Sequence, residues 1–227
     1  MRHIYKIYYE TTPEQFEKIY RSRLSYDSTV RLGLFIKPRH QANLYELYYV
    51  PTNRMIEQVN RLQALSGTLT MIYSKLPPVA RRQFIHEHIV EELYHTNTLE
   101  GVNSSREEIA ESTRHIETNK SGKTRFGRMI KSYLRLLNGE FAFPQHPNDI
   151  RKIYDEITEG EIARNELPDG EIFRKDVTYV KKETGDIIHL GITPESRIIE
   201  GMKDLLQFMN QGEDIPLLIK VAVGHYY

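Results

Sequence analysis

Helical periodicity in the first half of the chain constrains the fold more than any other feature. Between Asn53 and Lys75, apolar residues recur three or four positions apart, which places them along one face of an α-helix: Ile56, Val59, Leu62, Leu65, Leu69 and Ile72. Pro77-Pro78 interrupts this pattern and is typical of the first turn of a second helix, which we expect to run from about Val79 toward Leu99. Two successive long helices predict a mainly α-helical fold.

Capping signals predict further helices along the chain. Ser104 and Ser105 are each followed three residues later by a glutamate, the signature of a helix N-terminus, and this helix should run to about Glu117. By the same kind of start signal and apolar spacing, we expect helices after Thr12-Pro13, over Phe126 to Leu137, over Pro147 to Ile162, after Thr193-Pro194, and from about Pro216.

Short β-prone runs indicate strands in two places. Ile4 to Tyr9 and Leu44 to Val50 predict strands, so the first 50 residues are interpreted as a small α/β lobe. Val177 to Val180 and Ile187 to Leu190 flank a polar stretch with a turn glycine, which predicts a β-hairpin. We therefore divide the chain into an N-terminal lobe (1–50), a helical region (51–120) and a core region (121–227).

Composition narrows the function classes. Lys plus Arg and Asp plus Glu both number 31, and this zero net charge argues against a dedicated nucleic-acid binder. The sequence has no apolar run of the length that spans a membrane, no secretory signal at its start and no cysteine. These features favour a cytoplasmic protein without a membrane partner.

The apolar pattern of the last predicted helix continues to the last residue. Its members are Leu217, Leu218, Val221, Ala222 and Tyr226, and no capping glycine or polar tail follows them. We therefore expect the natural protein to continue past Tyr227.

One short segment, from Thr96 to Gly101, has the features of a functional site. Thr96 and Glu100 are four residues apart and share a helix face, and Gly101 fits the position just past a helix C-terminus. The helix dipole disfavours a carboxylate in the last turn by about 0.3–1 kcal/mol. A cation from another element, most simply an arginine, would offset this. On these residues alone, the simpler interpretation is a glutamate that faces solvent.

The pattern Thr96-x-x-x-Glu100-Gly101 resembles the inhibitory motif of the Fic family, which has a Ser or Thr, three residues, then Glu and Gly or Asn. The continuation from Val102 to Ile109 is similar to Fic proteins that carry this helix before the catalytic core.

A second set of matches surrounds the predicted hairpin. Leu167-Pro168-Asp169-Gly170 and Phe173-Arg174 precede it, and Gly191-Ile192-Thr193-Pro194-Glu195 follows it, as in the Fic family. Ile215-Pro216-Leu217 and Ala222 to His225 are similar to the helix that leads into the Fic signature. That signature, His-Pro-Phe-x-Asp-Gly-Asn-Gly-Arg, is absent from the 227 residues.

The resemblance implies a Fic-like helical bundle that transfers AMP from ATP, with Mg²⁺, to a hydroxyl of a protein substrate or of the chain itself. It implies that Glu100 binds the last arginine of the signature, which otherwise holds the γ-phosphate of ATP, and that Thr96 supports the carboxylate or the edge of the nucleotide. The hairpin would be the flap that positions the target, through Val177, Thr178, Tyr179, Val180, Ile187, Ile188, His189 and Leu190. Without the signature, we expect this chain to have no catalytic residue or metal site, to bind ATP weakly and to be inactive alone.

Two alternatives stay open. A Doc-like branch of the family transfers another phosphate-containing group, and the residues that separate the branches lie in the signature. A non-enzymatic regulatory module, such as a helical DNA-associated protein, is the other. The resemblance also leaves self-association open, because family members often form oligomers.

Three other features resemble functional motifs, but we interpret them as structural or surface residues. His225 is followed by Tyr226-Tyr227 instead of Pro-Phe, so we expect a structural histidine. The pairs His88/Glu92 and Glu91/His95 are interpreted as surface hydrogen bonds, because a bundle metal site needs a matching motif on another helix. Gly122-Lys123-Thr124 lacks the upstream glycine of a phosphate-binding loop.

Overall fold

The computed structural model describes residues 2–38, 43–118, 125–160, 162, 167–182, 184–211 and 214–227. The protein is mainly helical with two small antiparallel β-hairpins, which confirms the predicted mainly α class. Among the described helices, none is both long and apolar enough to cross a membrane.

The elements follow one another in the order helix, helix, strand, strand, five helices, two strands and two helices. The helices are α1 (Ile4–Glu10), α2 (Pro13–Leu24), α3 (Asn53–Lys75), α4 (Pro78–Leu99), α5 (Arg106–Glu117), α6 (Gly127–Leu137), α7 (Pro147–Thr158), α8 (Glu195–Asn210) and α9 (Leu217–Tyr226). The strands are β1 (Val30–Ile36), β2 (Tyr45–Tyr49), β3 (Tyr179–Lys181) and β4 (Ile187–Leu190).

The prediction of a strand over Ile4 to Tyr9 is wrong, because this segment forms α1. Its apolar residues fit one short helix as well as one strand, and periodicity cannot separate the two over so few residues. In the helix, Ile7 is buried and the ring of Tyr8 packs edge-on against Phe16 of α2, with ring centroids 5.3 Å apart. Tertiary packing on α2 therefore decides the conformation.

The predicted strand over Leu44 to Val50 is confirmed as β2, but its partner β1 was not predicted. Leu32 and Leu34 of β1 are buried, and Gly33 lies between them with a φ of 66°. The pairing register shifts between Arg31 and Phe35, around this glycine. A bulge of this kind interrupts the simple alternation by which a strand is found in a sequence.

The chain divides into two compact units. One contains Met1–Leu65, Val180–Leu190 and Gln207–Tyr227, and the other contains Ser66–Tyr179 and Gly191–Leu206. The domain boundaries predicted from the sequence stay a prediction.

The second unit is organised around one hydrophobic core formed by α4, α5 and α6. The members of this core are Ile89, Val90, Leu93, Ile109, Phe126 and Ile130, and Leu93, Ile109 and Ile130 have no exposed surface. Burying a large aliphatic side chain of this kind stabilises a fold by about 1.5–3 kcal/mol. The core therefore fixes α4 firmly against α5.

The helix boundaries in this unit follow local signals. The Ser105 hydroxyl accepts a hydrogen bond of 3.1 Å from the backbone N–H of Glu108, so α5 begins where its capping residues predict. The predicted helix over Pro147 to Ile162 ends earlier, at Thr158. Gly160 has a φ of 79°, a left-handed conformation that a helix cannot continue through.

Candidate functional site

The end of α4 carries the residues of the predicted inhibitory motif. Glu100 is the C-cap residue, and Gly101 follows with a φ of 72°. The N–H of Gly101 donates to the carbonyl of Thr98 (3.3 Å) and the N–H of Val102 donates to the carbonyl of Asn97 (2.7 Å). This pair of hydrogen bonds is a Schellman motif, which ends a helix and favours glycine at the left-handed position. The predicted role of Gly101 as a helix stop is confirmed.

Glu100 and Thr96 are both exposed on α4. The backbone N–H of Glu100 donates to the carbonyl of Thr96 at 3.0 Å, so the two residues lie one helical turn apart. Among the described residues, the Glu100 carboxylate forms no ion pair. The carboxylate therefore lies at the negative end of the helix dipole without a compensating cation, an arrangement that favours binding of one.

Buried contacts hold this helix end in place. Leu93 has no exposed surface, and Asn97, one turn further on, is only 4% exposed. The Asn97 side-chain amide donates a hydrogen bond of 3.0 Å to the Ser104 hydroxyl, across the connection between α4 and α5. Asn97 therefore ties the Thr96–Gly101 segment to the buried face of α4, and its hydrogen bond to Ser104 holds the connection that follows.

A second connection joins the same two helices on their surface. The Arg106 guanidinium donates to both oxygens of Glu91, at 2.7 and 3.0 Å, and lies 3.8 Å from the ring centroid of Tyr94. His95 lies 3.3 Å from the same carboxylate, so the predicted Glu91/His95 pair is confirmed. The hydrogen bonds from Arg106 lower the pKa of the Glu91 carboxyl.

The predicted hairpin is confirmed as β3 and β4. Lys182 and Asp186 bracket its turn, with the N–H of Lys182 donating to the carbonyl of Asp186 at 2.8 Å, and Gly185 has a φ of 87°. At the open end, the N–H of Gly191 donates to the carbonyl of Thr178 at 2.7 Å. This hydrogen bond joins the residues that flank the two strands.

Most of the side chains assigned to target positioning are exposed. Tyr179, Val180 and Ile188 are each at least half exposed, and Leu190 is 47% exposed. His189 is exposed too, and Ile187 is half-buried. Exposed apolar and aromatic side chains on a two-stranded ribbon are a surface to which an extended peptide can bind.

Two sequence segments far apart in the chain meet at the base of the hairpin. The Glu195 carboxylate accepts hydrogen bonds from three successive backbone N–H groups: Glu171 (3.2 Å), Ile172 (2.7 Å) and Phe173 (2.9 Å). The N–H groups of Phe173, Ile172 and Glu171 stabilise the charged carboxylate and lower its pKa. The segment before the hairpin is thus fixed to the segment after it.

Asp169 and Arg174 complete this base. The Asp169 carboxylate accepts from the backbone N–H of Lys175 at 2.7 Å and of Asp176 at 3.2 Å, and these hydrogen bonds lower its pKa. The Arg174 guanidinium donates to the carbonyl of Ile192 at 2.9 Å.

Two glycines are required at this base by close approach. A Cβ at Gly170 would overlap the Phe173 carbonyl and the Glu195 carboxylate, and a Cβ at Gly191 would overlap the side chains of Arg174 and Thr178. These contacts bring together the two sets of residues in which the sequence resembles the Fic family around its flap.

The other candidate features have local explanations. His225 is exposed in the last turn of α9, so the packing role expected for this histidine is not found. His88 stacks on Phe84, with ring centroids 6.1 Å apart, and its predicted pairing with Glu92 is not found. No group of three His, Asp or Glu side chains in the described part of the chain is placed to hold a metal ion. Gly122-Lys123-Thr124 lies outside the described residues.

Sequence reasoning missed Asn97 and the role of Glu195. The signal for Asn97 was available, because an amide within a helix of apolar periodicity must find a partner when it is buried. Glu195 looks in the sequence like an ordinary acidic residue in the first turn of a helix. Its three N–H donors come from a loop that no periodicity describes.

Comparisons of the chain with protein-family models, with curated proteins and with solved structures found no match.

Proposed function

We propose that these residues form the inhibitory and target-positioning part of a Fic-family AMP-transferase. The observation that carries the proposal is the exposed Glu100 carboxylate, which lacks an ion pair among the described residues and lies at the end of a helix fixed by the core. The absence of the catalytic signature from the 227 residues means that transfer requires a chain in which the signature accompanies them.

The reaction needs a nucleotide, a target hydroxyl and a base. ATP would supply the AMP group, and Mg²⁺ held by the aspartate of the signature would neutralise charge on its phosphates. The target hydroxyl oxygen forms a bond to the α-phosphorus while the bond between that phosphorus and the departing pyrophosphate breaks. The proton of the hydroxyl goes to the histidine of the signature.

Glu100 acts in this proposal by competing for an arginine. The arginine of the signature holds the γ-phosphate in the productive state, and a carboxylate can accept two parallel hydrogen bonds from the same guanidinium. Because α4 is packed on α5 through Leu93 and Ile109, Glu100 is presented without an entropic cost of ordering the helix. Thr96, one turn earlier on the same face, supports the carboxylate.

The hairpin positions the target segment. A strand of the target would add to the hairpin through backbone hydrogen bonds, while exposed side chains such as Tyr179 and Ile188 contact it. Glu195 and Asp169 accept five backbone hydrogen bonds, which order the segments that flank the hairpin in the sequence.

The test joins these 227 residues to a Fic signature in one chain and introduces Glu100→Gly to relieve inhibition. We expect label from ATP radiolabelled at the α-phosphate to remain on the protein after repurification, and mass spectrometry to identify the adduct as AMP. A phosphoryl adduct would favour the Doc-like reaction instead. Absence of any adduct on the protein or on proteins of a cell lysate would refute the proposal.

A further inference from the structure

The first unit contains an open cavity of about 970 Å³, lined by residues of its N-terminal part and by Tyr226. This size lies at the upper end of the range found for small-molecule sites, roughly 300–1,000 Å³. Its wall is mainly aromatic, with contributions from Tyr5, Tyr8, Tyr9, Phe16, Tyr20, Tyr45, Tyr48 and Tyr49. All of the lining residues belong to the same unit.

A buried cation lies in this wall. Arg23 is only 6% exposed, yet it forms no ion pair with any described residue. Its guanidinium donates a hydrogen bond of 2.8 Å to the backbone carbonyl of Arg2, which is a neutral acceptor. A buried charge is normally paired because desolvation is costly, so an unpaired guanidinium beside a cavity favours an anion within it.

The other charged groups of the wall leave the cavity positive. Arg54 and Arg2 also line it, although Arg2 is paired with Glu10 at 2.6 Å, and Glu46 is the acidic residue among the lining set. Both Glu46 oxygens are already used, one by the Arg31 guanidinium and the other by the backbone N–H of Gly33 at 3.2 Å. Glu46 therefore cannot neutralise Arg23, and the charge of the wall complements an anionic ligand.

A buried hydroxyl in the same wall has no hydrogen-bond partner. The Tyr48 hydroxyl is the side-chain oxygen or nitrogen that stays buried and unsatisfied among the described residues. The neighbouring Tyr20 hydroxyl, by contrast, donates to the Glu46 carbonyl at 3.0 Å. A buried hydroxyl without a partner costs about 1–3 kcal/mol, and a polar group on a ligand would recover part of this.

The aromatic rings of the wall form a connected set. Tyr20 packs edge-on against Tyr45 with centroids 5.0 Å apart, and Phe16 packs edge-on against Tyr8 and Tyr45 at 5.3 and 5.9 Å. Rings arranged in this way offer both faces and edges to a further ring, so they suit a planar aromatic guest.

We propose that this cavity binds an aromatic molecule that carries a carboxylate or phosphate group, with the anion on Arg23 and the ring among the tyrosines. None of its residues belongs to the inhibitory segment or to the hairpin, so the site is independent of the AMP transfer proposed above. Its function would be recognition of a small aromatic anion by the first unit.

The test is calorimetric titration of the 227-residue protein with four probes: naphthalene-2-carboxylate, 2-naphthyl phosphate, 2-naphthylmethanol and inorganic phosphate. We expect one or both naphthyl anions to bind about tenfold or more tightly than the neutral alcohol and than inorganic phosphate. The stronger of the two identifies the anionic group. Equal affinity for the alcohol and the anions, or no binding of either anion, would overturn the proposal.

Two variants locate the binding to this cavity. Arg23→Met keeps the length of the side chain and should weaken the binding of the naphthyl anions about tenfold or more, while binding of the alcohol is unchanged. Arg21→Met is the matched control, because Arg21 lies on the same helix with its side chain 76% exposed and does not line the cavity. Equal losses in the two variants would overturn the assignment.

If Arg23→Met fails to fold, as thermal unfolding would show, Tyr48→Phe provides the second test. It removes the unsatisfied hydroxyl and leaves the ring in place, so it should fold and should weaken binding of the anions several-fold. Unchanged affinity for every probe in Tyr48→Phe would contradict the placement of the ligand.

Discussion

The helices α3 and α4 are nearly equal in length, at 23 and 22 residues, but they differ in what covers them. α4 buries Ile89, Val90, Leu93 and Asn97 in the core of the second unit, whereas none of the residues of α3 is buried. Apolar side chains along α3, including Leu62, Leu65 and Leu69, are about half exposed. Periodicity identified both helices equally well, but it reports only that one face is apolar, and packing decides whether that face is covered.

This difference bears on the proposed function because Glu100 is at the end of the covered helix. The packing of Leu93 and Asn97 fixes the backbone from which the Glu100 side chain extends, as the proposed competition for an arginine requires.

The largest expected effect is the difference in stability lost when one leucine of each helix is replaced by alanine. Leu93→Ala should lower the free energy of unfolding by about 2–5 kcal/mol, because it leaves a cavity in the core. Leu69→Ala removes the same atoms from a side chain that is 53% exposed and should cost about 1 kcal/mol or less. Urea denaturation of both variants measures the two losses. Equal losses would mean that the face of α3 is covered in solution.

The next largest effect is the difference in stability between two Gly→Ala variants, one just after α4 and one within α3. Gly101 has a φ of 72°, so Gly101→Ala should destabilise the protein by about 1–2 kcal/mol. Gly67 lies within α3, where an added Cβ would meet no atom within 4 Å, so Gly67→Ala should stabilise the protein by about 0.5–1 kcal/mol. Thermal unfolding reports the opposite signs. A stabilising Gly101→Ala would contradict the Schellman geometry at the end of α4.

The smallest effect comes from the ion pair on the surface of α4. The pKa of Glu91 is lowered by the hydrogen bonds from Arg106, so its contribution to stability is present above the ordinary glutamate pKa of about 4.3. That contribution is lost as the pH falls through the lowered pKa of the folded protein. Glu91→Gln should therefore destabilise slightly at neutral pH and have no effect at strongly acidic pH.

Glu57→Gln on α3 is the control for this pH effect, because Glu57 forms no ion pair among the described residues. Its effect on the unfolding temperature should not change between the two pH values. If Glu91→Gln destabilised equally at both, the Arg106 contact would not be the cause.

The sequence predicted those parts of the fold that depend on local signals. The start of α5 at Ser105, the stop of α4 at Gly101 and the hairpin of β3 and β4 were all found in this way. The strand β1 was missed because Gly33 places a bulge within it, and α1 was mistaken for a strand because packing on Phe16 decides its conformation.

The candidate site also has parts that depend on local sequence signals and parts that depend on tertiary contacts. The position of Glu100 at a helix end was predicted from Gly101 and the residues before it, because a helix end is a local structure. The hydrogen bonds of Glu195 to the 171–173 backbone and the burial of Asn97 depend on contacts between segments, which no local pattern contains. The unpaired Arg23 was not predicted for the same reason, because the cavity that it lines is formed by residues of several helices and strands.

The decisive measurement is the rate of automodification by a chain that joins these 227 residues to the Fic signature, for wild type, Glu100→Gly, Glu100→Gln and the exposed control Glu111→Gln. An arginine–carboxylate hydrogen bond is worth about 1.5–3 kcal/mol, so both changes at Glu100 should raise the rate about tenfold or more, while Glu111→Gln leaves it unchanged. Unchanged or lower rates in both Glu100 variants would contradict the inhibitory role of this carboxylate.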